Sequence, residues 1–355
     1  MSLEELRKKI DEADTRIVRL IAERMRIAKE IGREKKKQGK PIADEGREIE
    51  VLEHIKSVAR EEDINQEDIA SIYRRIVTAC KGGQETVVAF QGEIGAHSEE
   101  AASGFFGHSI QTKPCESLDD VFKAVDCGEV QFGVVPIENS LEGSIRQTYD
   151  LLLDSTLKVC GEIEFRVVHC LVAGPEESLD SIKRVYSHPQ ALGQCQAFLK
   201  HLDCELIPTY DTAGSVKMIK EKGIVESGAV ASTRAAEIYG MKIIAQEIED
   251  NPNNFTRFFI LAKQDSPPSG NDKTSIVFSV RHKPGALYEA LKELADKNIN
   301  LTKIESRPTR QKPWEYNLHL DFEGHREDKA FEEALEYLEN SSLFVKVLGS
   351  YPKAK

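Results

Sequence analysis

The first 35 residues constrain this chain more tightly than any other stretch. Apolar residues fall at Leu3, Leu6, Ile10, Ala13, Ile17, Leu20, Ile27 and Ile31, in alternating steps of three and four. That spacing is the seam of a long helix built to pack against other helices. The one position missing from the series is filled by Arg24. A guanidinium on a packing face is costly unless a carboxylate or an anionic ligand compensates it. Continuing the series by four reaches Lys35, and Arg7 lies one turn beyond Leu3 on the same flank. At about 1.5 Å per residue, Arg7 and Lys35 are roughly 42 Å apart on one straight helix, too far to hold one small molecule together. Either they serve different sites or two chains cross. From Arg24 to Lys40 the sequence is strongly basic, inside a protein with 48 Lys+Arg against 60 Asp+Glu and a net charge of −12. A solvated face is the ordinary explanation of such a run, and here the helical phase turns its cations inward. The overall charge argues against nucleic acid as a partner.

The basic helix stops near Gly39-Lys40-Pro41. A second is expected from about Asp44, with Arg47, Glu48, Leu52, Ile55 and Ala59 on one face. A third opens at Asn65, with Asp68 three positions on, and carries Ile69, Ile72, Tyr73, Ile76 and Cys80 inward, with Gln84 one turn later. In residue type and spacing, Leu6-Arg7-x-x-Ile10-Asp11 followed by Arg24, Lys35, Asp44, Arg47-Glu48 and Gln84 resembles the all-helical chorismate mutase family over residues 1–85. The resemblance implies an intertwined dimer in which Arg7 of one chain and Arg24 of the other pair with the two carboxylates of chorismate. It implies that Lys35 and Gln84 donate to the ether oxygen, with Glu48 and Asp44 holding the ring hydroxyl and the local charge network. A Claisen rearrangement needs no nucleophile, base or metal, only a folded substrate and donors aimed at the oxygen that gains charge. Two features depart from the family: Cys80 stands where Ser is frequent, and Gly82-Gly83 weakens the helix just before Gln84.

After Thr86 the pattern changes to alternating strands and helices. Apolar runs at 86–90, 131–137, 166–173, 183–187, 228–232 and 256–262 alternate with amphipathic stretches near 98–107, 117–127, 142–154, 189–202, 211–222 and 232–239. That is α/β architecture, and its length suggests two lobes around a cleft, with ligands at the strand ends. Five signatures follow in order: Gln91-Gly-Glu-Ile-Gly-Ala-His-Ser98, Val135-Pro-Ile-Glu-Asn-Ser-Leu-Glu-Gly143, Ser187-His-Pro-Gln-Ala-Leu192, Asp211-Thr-Ala-Gly-Ser215 and Asn254-Phe-Thr-Arg-Phe258. Together they resemble prephenate dehydratase over residues 86–263. The resemblance implies a fold like two-lobed periplasmic binding proteins, with prephenate held between the lobes by Glu138, Asn139, Ser140, Ser187, His188, Thr256, Arg257 and Phe258. It makes Thr256 the residue most directly tied to catalysis, with Arg257 and Phe258 shaping the site. The reaction expels a hydroxyl as water while a carboxylate leaves as CO₂, so the protein must supply a donor to the departing oxygen. For Glu138, Asn139 and Ser140, capping a helix that starts near Glu142 stands beside substrate contact as an explanation. His97 occupies a place where the family commonly has an aromatic ring; it is either a general acid or a packing substitute.

Residues 264–273 read as a linker by composition. The stretch 274–355 then orders as strand, helix, strand, strand, helix, strand, an α+β ferredoxin-like plait. Pro284-Gly285-Ala286-Leu287-Tyr288 and Ile304-Glu305-Ser306-Arg307-Pro308 resemble the ACT regulatory domain. That resemblance implies pairing between chains and binding of L-phenylalanine by Gly285, Ala286, Leu287, Glu305, Ser306 and Arg307, with feedback inhibition as the consequence. No cofactor is implied: no Gly-x-Gly-x-x-Gly follows a strand, and the seven cysteines form no metal-spaced pair. With no apolar run near the roughly 20 residues that cross a bilayer, and a charged start at Met1-Ser2-Leu3-Glu4-Glu5, the expected location is cytoplasmic. The expectation is a bifunctional enzyme acting on chorismate and then prephenate, with chains associating as a homodimer or higher homo-oligomer. Two alternatives stay open at this point: a dehydratase whose mutase arm serves only dimerisation, and a non-catalytic amino-acid sensor.

Overall fold

A computed structural model describes residues 2–37, 45–62, 64–81, 86–107, 110–281, 283–309 and 314–354. The chain forms two compact units, Met1–Thr86 with Phe106–Gln111, and Val87–Phe105 with Thr112–Lys355. No helix among the described residues is long and apolar enough to cross a membrane.

The first unit holds α1 (Leu3–Lys37), α2 (Glu45–Glu61) and α3 (Gln66–Lys81). A reciprocal box starts α1: the Ser2 amide donates to Glu5 Oε2 at 2.8 Å and the Glu5 amide to Ser2 Oγ at 3.2 Å. Asn65 caps α3 by accepting from the Asp68 amide at 3.2 Å. Helix α2 packs on α3, and α3 touches α1. In the single chain Leu6, Ile10, Ile17, Leu20, Ile27 and Ile31 nevertheless remain exposed, so most of the apolar seam of α1 is uncovered.

The second unit begins with a lobe made of β1 (Val87–Gln91), α4 (His97–Phe106), β2 (Gln111–Cys115), α5 (Leu118–Asp126), β3 (Phe132–Asn139), β4 (Gly143–Ser144), α6 (Arg146–Asp154) and β5 (Lys158–Arg166). The chain then crosses into a second lobe of β6 (Cys170–Ala173), β7 (Arg184–Ser187), α7 (Pro189–Gln194), α8 (Gln196–Leu199), β8 (Glu205–Pro208), α9 (Thr212–Lys222), β9 (Ser227–Ala231), α10 (Thr233–Tyr239) and β10 (Lys242–Ala245), and returns as β11 (Phe255–Ala262). The first sheet runs β2-β1-β3-β11-β5 with β4 added to β3, and the second runs β10-β6-β9-β7-β8. In the first, β1 and β3 are parallel and β11 is antiparallel to both neighbours.

Several expectations are corrected here. The apolar run 166–173 is not one strand: Val167, Val168 and His169 carry the chain between lobes, because alternating exposure ends with β5 and full burial begins with β6. The helix expected over 189–202 breaks at Cys195, where the returning crossover competes for its backbone groups. The Asp250 amide donates to the Gln194 carbonyl at 2.7 Å, and Asp250 Oδ1 accepts from the Ala197 amide at 2.9 Å. The helix expected near Glu142 starts at Arg146, after the short strand β4. Strands β2 and β8 escape the apolar-run criterion because they are sheet edges containing Pro114 and Pro208.

The plait follows as β12 (Asp272–Ser279), α11 (Ala286–Asp296), β13 (Leu301–Pro308), β14 (Tyr316–Glu323), α12 (Lys329–Ser341) and β15 (Phe344–Pro352), its strands ordered β13-β14-β12-β15 and all antiparallel. One face of this sheet packs Ile276, Phe278, Leu318, Leu320 and Phe322 against Leu294, Phe331 and Leu338 of its own helices. The other face sends Val277, Leu348 and Tyr351 into the core of the first lobe, beside Val159 and Phe259. Strand β12 is therefore buried at every position. The stretch read as a linker is tied down at both ends: Arg326 pairs with Asp265 at 2.7 Å and Ser266 Oγ donates to the Cys160 carbonyl at 2.6 Å at its start, and Lys273 pairs with Glu162 at 2.9 Å at its end.

Candidate functional site

The two lobes are joined by residues 167–169 and 246–254, and these crossovers bond to each other. The Val167 amide donates to the Asn254 carbonyl at 2.8 Å and the Ile248 amide to the His169 carbonyl at 3.0 Å. The buried Glu249 carboxylate ties them further by accepting from the His169 amide at 3.0 Å and from Arg166 at 3.3 Å. Their polar side chains form a continuous network. Asn139, at the end of β3, donates its amide to Thr256 Oγ1 at 3.0 Å and to Asn254 Oδ1 at 2.8 Å. The Asn254 amide donates to Gln194 Oε1 at 2.9 Å, and His169 Nε2 lies 3.0 Å from the same oxygen. Because that oxygen is an acceptor, Nε2 carries the ring proton. Burial, and then the neighbouring His97, push the His169 imidazole down to about 4, so it is neutral near pH 7.

Thr256 itself is buried on β11, in register with Asn139 on one side and Phe165 on the other. The Asn139 amide occupies a lone pair of its oxygen, and among the described residues the hydroxyl proton has no acceptor. A hydroxyl oriented by an amide donor, with its own proton uncommitted, is arranged to donate to a substrate oxygen.

A cavity of about 700 Å³ opens between the lobes at the ends of β1, β2 and β7, bordered by Gly92, Glu93, Ala96, His97, Glu116, His188, Tyr210 and Asp211. Gly92 is required there: its φ is +113°, and a side chain would press on Asp211 Oδ2. Asp211 caps α9 by accepting from the Gly214 amide at 2.7 Å, and burial raises its carboxyl above the usual range. Glu93 on the rim is paired with Lys217 at 2.9 Å and accepts from Tyr210 Oη at 3.1 Å. Thr256 is not part of the lining. The His97 ring, 6.3 Å from that of Phe165 and 5.4 Å from that of His169, links the cavity wall to the Thr256 network. Its Nδ1 is 3.4 Å from Glu100 Oε1, yet neither ring nitrogen makes a hydrogen bond, a placement in keeping with a ring that packs.

The structure gathers only some of the expected prephenate residues. Asn139 and Thr256 touch. Phe258 is buried on the Thr256 side of β11. His188 lines the cavity and caps α7, its Nδ1 accepting from the Gln190 amide at 3.3 Å. Ser187 is fully buried and donates to the Val230 carbonyl at 2.6 Å. Ser140 clamps β3 to β11, donating to the Asn253 carbonyl and accepting from the Phe255 amide, each at 2.9 Å. Arg257 and Glu138 correct the expectation of substrate contact, because strand alternation turns them away from Thr256 and Asn139. Arg257 pairs with Glu162 and Asp321 at 2.6 Å, and Glu138 with Lys303 at 2.6 Å. Asn254, Gln194 and His169 were not singled out as site residues. Asn254 stands inside the Asn-Phe-Thr-Arg-Phe motif, whereas nothing in the local sequence marks Gln194 or His169.

In the helical unit Arg7 is exposed and Arg24 half-buried on α1. Lys35, Glu48 and Cys80 fall on α1, α2 and α3, with side chains outside the described set, and Asp44 and Gln84 lie outside the described residues. On the plait Gly285 precedes α11 at φ +83°, with no side-chain cap; Ala286 and Leu287 are half-buried in its first turn. Arg307 corrects the effector expectation. With Glu305 it lies on the opposite face of β13 from Ser306, and it reaches Asp150 of the first lobe at 3.7 Å.

Residues 6–85 match chorismate mutase type II, residues 88–266 prephenate dehydratase, and residues 274–340 the ACT domain. The bifunctional chorismate mutase/prephenate dehydratase of Aquifex aeolicus (strain VF5) is 43% identical over 359 residues, covering 99% of this chain and 98% of that one. The chain belongs to the bifunctional chorismate mutase/prephenate dehydratase family. It carries both activities of that family, so the readings as a dehydratase alone or as a sensor fall away. Among solved structures, a prephenate dehydratase from Arthrobacter aurescens in complex with L-Phe has a TM-score of 0.69 at 30% identity, covering 75% of this chain and 90% of that one. A chain described as GqqA, a novel type of quorum quenching acylase, has a TM-score of 0.69 at 34% identity, covering 75% and 97%. One backbone thus carries differently described activities, and the chemistry has to be argued from side chains.

Proposed function

We propose that Thr256, oriented by Asn139, is the hydroxyl that donates to the departing C4 oxygen of prephenate in the dehydratase step. The observation that carries this reading is the 3.0 Å bond from the Asn139 amide to Thr256 Oγ1, which leaves the threonine proton uncommitted. An alcohol has no useful acidity of its own, so it polarises the leaving group, and aromatisation with loss of CO₂ drives the step. The Asn254–Gln194–His169 network fixes the Asn139 amide in the donating orientation.

For the mutase step, Arg24 and Arg7 from a second copy of the chain hold the two carboxylates of chorismate, and Lys35 and Gln84 donate to its ether oxygen. Glu48 and Asp44 orient the ring hydroxyl, beside Cys80. The uncovered seam of α1 supports the second copy, since six large apolar side chains on one helix face are left in water by the single chain. L-phenylalanine binds the plait at the uncapped start of α11, at Gly285, Ala286 and Leu287, with Ser306, and inhibits the dehydratase.

Following chorismate loss, and separately phenylpyruvate formation from supplied prephenate, in the wild type, Lys35→Ala and Thr256→Ala tests the two-site assignment. Lys35→Ala is expected to block the first step alone and Thr256→Ala the second alone. If either substitution blocked both steps, or neither, the assignment would be wrong.

A further inference from the structure

The strands that carry Thr256 and Asn139 are irregular just before those residues. Arg257 pairs with Glu138 but Phe258 pairs with Pro136, so Ile137 is an extra residue in β3, a β-bulge. Beyond it two rungs remain, Arg257 with Glu138 and Thr256 with Asn139, followed by the Ser140 clamp to Asn253 and Phe255. Alternation directs Thr256 and Asn139 toward the lobe junction and Arg257 and Glu138 toward the opposite face. That face is covered by the plait, and the plait holds both residues. Asp321 of β14 pairs with Arg257 at 2.6 Å, Tyr351 of β15 accepts from the same guanidinium at 3.1 Å, and Lys303 of β13 pairs with Glu138 at 2.6 Å. Lys303 also reaches Ser144 of β4 at 3.3 Å, on the neighbouring strand paired with Glu138. Glu162 of β5 completes the surround of Arg257.

We infer that Asp321 and Lys303, on the plait, are positioning residues of the dehydratase reaction, setting the tip of β3 and β11 from behind and with it the Thr256–Asn139 pair. A bulge loosens the ladder at this tip, and the rungs and the Ser140 clamp lie in the plane of the sheet, so they hold it sideways more than against tilting toward or away from the lobe junction. Two ion pairs that are mostly or partly buried, anchored in a sheet packed on the same core, remove that freedom. A misplacement of the Thr256 hydroxyl by about 1 Å is enough to cost on the order of a hundredfold in rate, so slack at the tip shows in turnover more than in substrate affinity.

The full chain tests this, with mutase turnover and melting temperature measured on each preparation. Asp321→Asn is expected to lower dehydratase kcat tenfold or more with KM changed less than threefold, and Asp321→Glu to recover most of the loss. Lys303→Met should lower kcat in the same sense but less, because Glu138 is partly exposed. Lys346→Met is the control: Lys346 joins the same two domains through the carbonyls of Leu152, Leu153 and Ser155, away from the bulge. It is expected to leave kcat unchanged. Unchanged kcat in folded Asp321→Asn and Lys303→Met, or an equal loss in Lys346→Met, overturns the inference. Should Asp321→Asn fail to fold, Lys303→Met against Lys346→Met decides. The inference rests on Thr256 as donor; full turnover by Thr256→Ala would sink that reading whatever the Asp321 variants show.

Discussion

At the scale of single residues, the proposed dehydratase site turns on one hydroxyl and the amides behind it. Thr256→Ala removes the donor, and a kcat loss of two or more orders of magnitude is expected, while Thr256→Ser keeps the hydroxyl and a measurable rate. Asn139→Ala should approach the alanine variant in dehydratase assays, since it frees the Thr256 oxygen from its only described partner. Two buried imidazoles set a pH dependence. His169 and His319 are each pushed down to about 4, by burial first and then by His97 or Arg307 respectively. The unfolded chain therefore binds more protons than the folded one between about pH 6.5 and 4. Their contribution to stability is complete above about pH 6.5 and is lost as pH falls toward 4, on the order of 3 kcal/mol each at most. Denaturant midpoints followed across that window should fall less steeply in His319→Phe than in the wild type; parallel curves would contradict the assignment. Thr256 was legible in the sequence because its motif is local. Gln194 and His169 were not, because their roles arise only where α7 and a crossover meet β11.

At the scale of elements, the close approach of β15 to β5 shows how much of the regulatory domain is built into the catalytic core. A side chain at Gly349 would collide with the Val159 carbonyl oxygen. Gly349→Ala is thus expected to cost about 1–3 kcal/mol through overpacking and to lower the melting temperature by several degrees. A variant melting with the wild type would mean that β15 does not rest on β5. Arg257 belongs to this scale as well. Its buried guanidinium has three partners from three strands, and removing one carboxylate from such a cluster typically costs about 3–5 kcal/mol. The strands and helices with strong periodicity, such as β3, β9, β11, α5 and α9, stand close to where the apolar pattern puts them. The misses share a cause. Edge strands β2 and β8 hold few apolar residues, the 189–202 helix is broken by Asp250 from a distant segment, and the 166–173 run hides a crossing between sheets.

At the scale of the whole molecule, the seam of α1 predicts association. Replacing Ile17 and Leu20 by Glu is expected to abolish self-association in sedimentation and mutase turnover together, while dehydratase turnover persists; a monomeric variant with full mutase activity would refute the crossed-chain site. The sequence alone determined that there are three modules, that the first is helical, and that the later two are α/β and a plait, because periodicity and short motifs are local properties of a chain. Only the tertiary structure decided which way neighbouring residues face. Thr256 and Arg257 adjoin in sequence and in motif, yet a strand turns successive side chains to opposite sides. One meets Asn139 at the lobe junction, and the other meets Asp321 from a domain 64 residues further along. That division depends on which sheet packs behind β11, and no spacing within β11 records it.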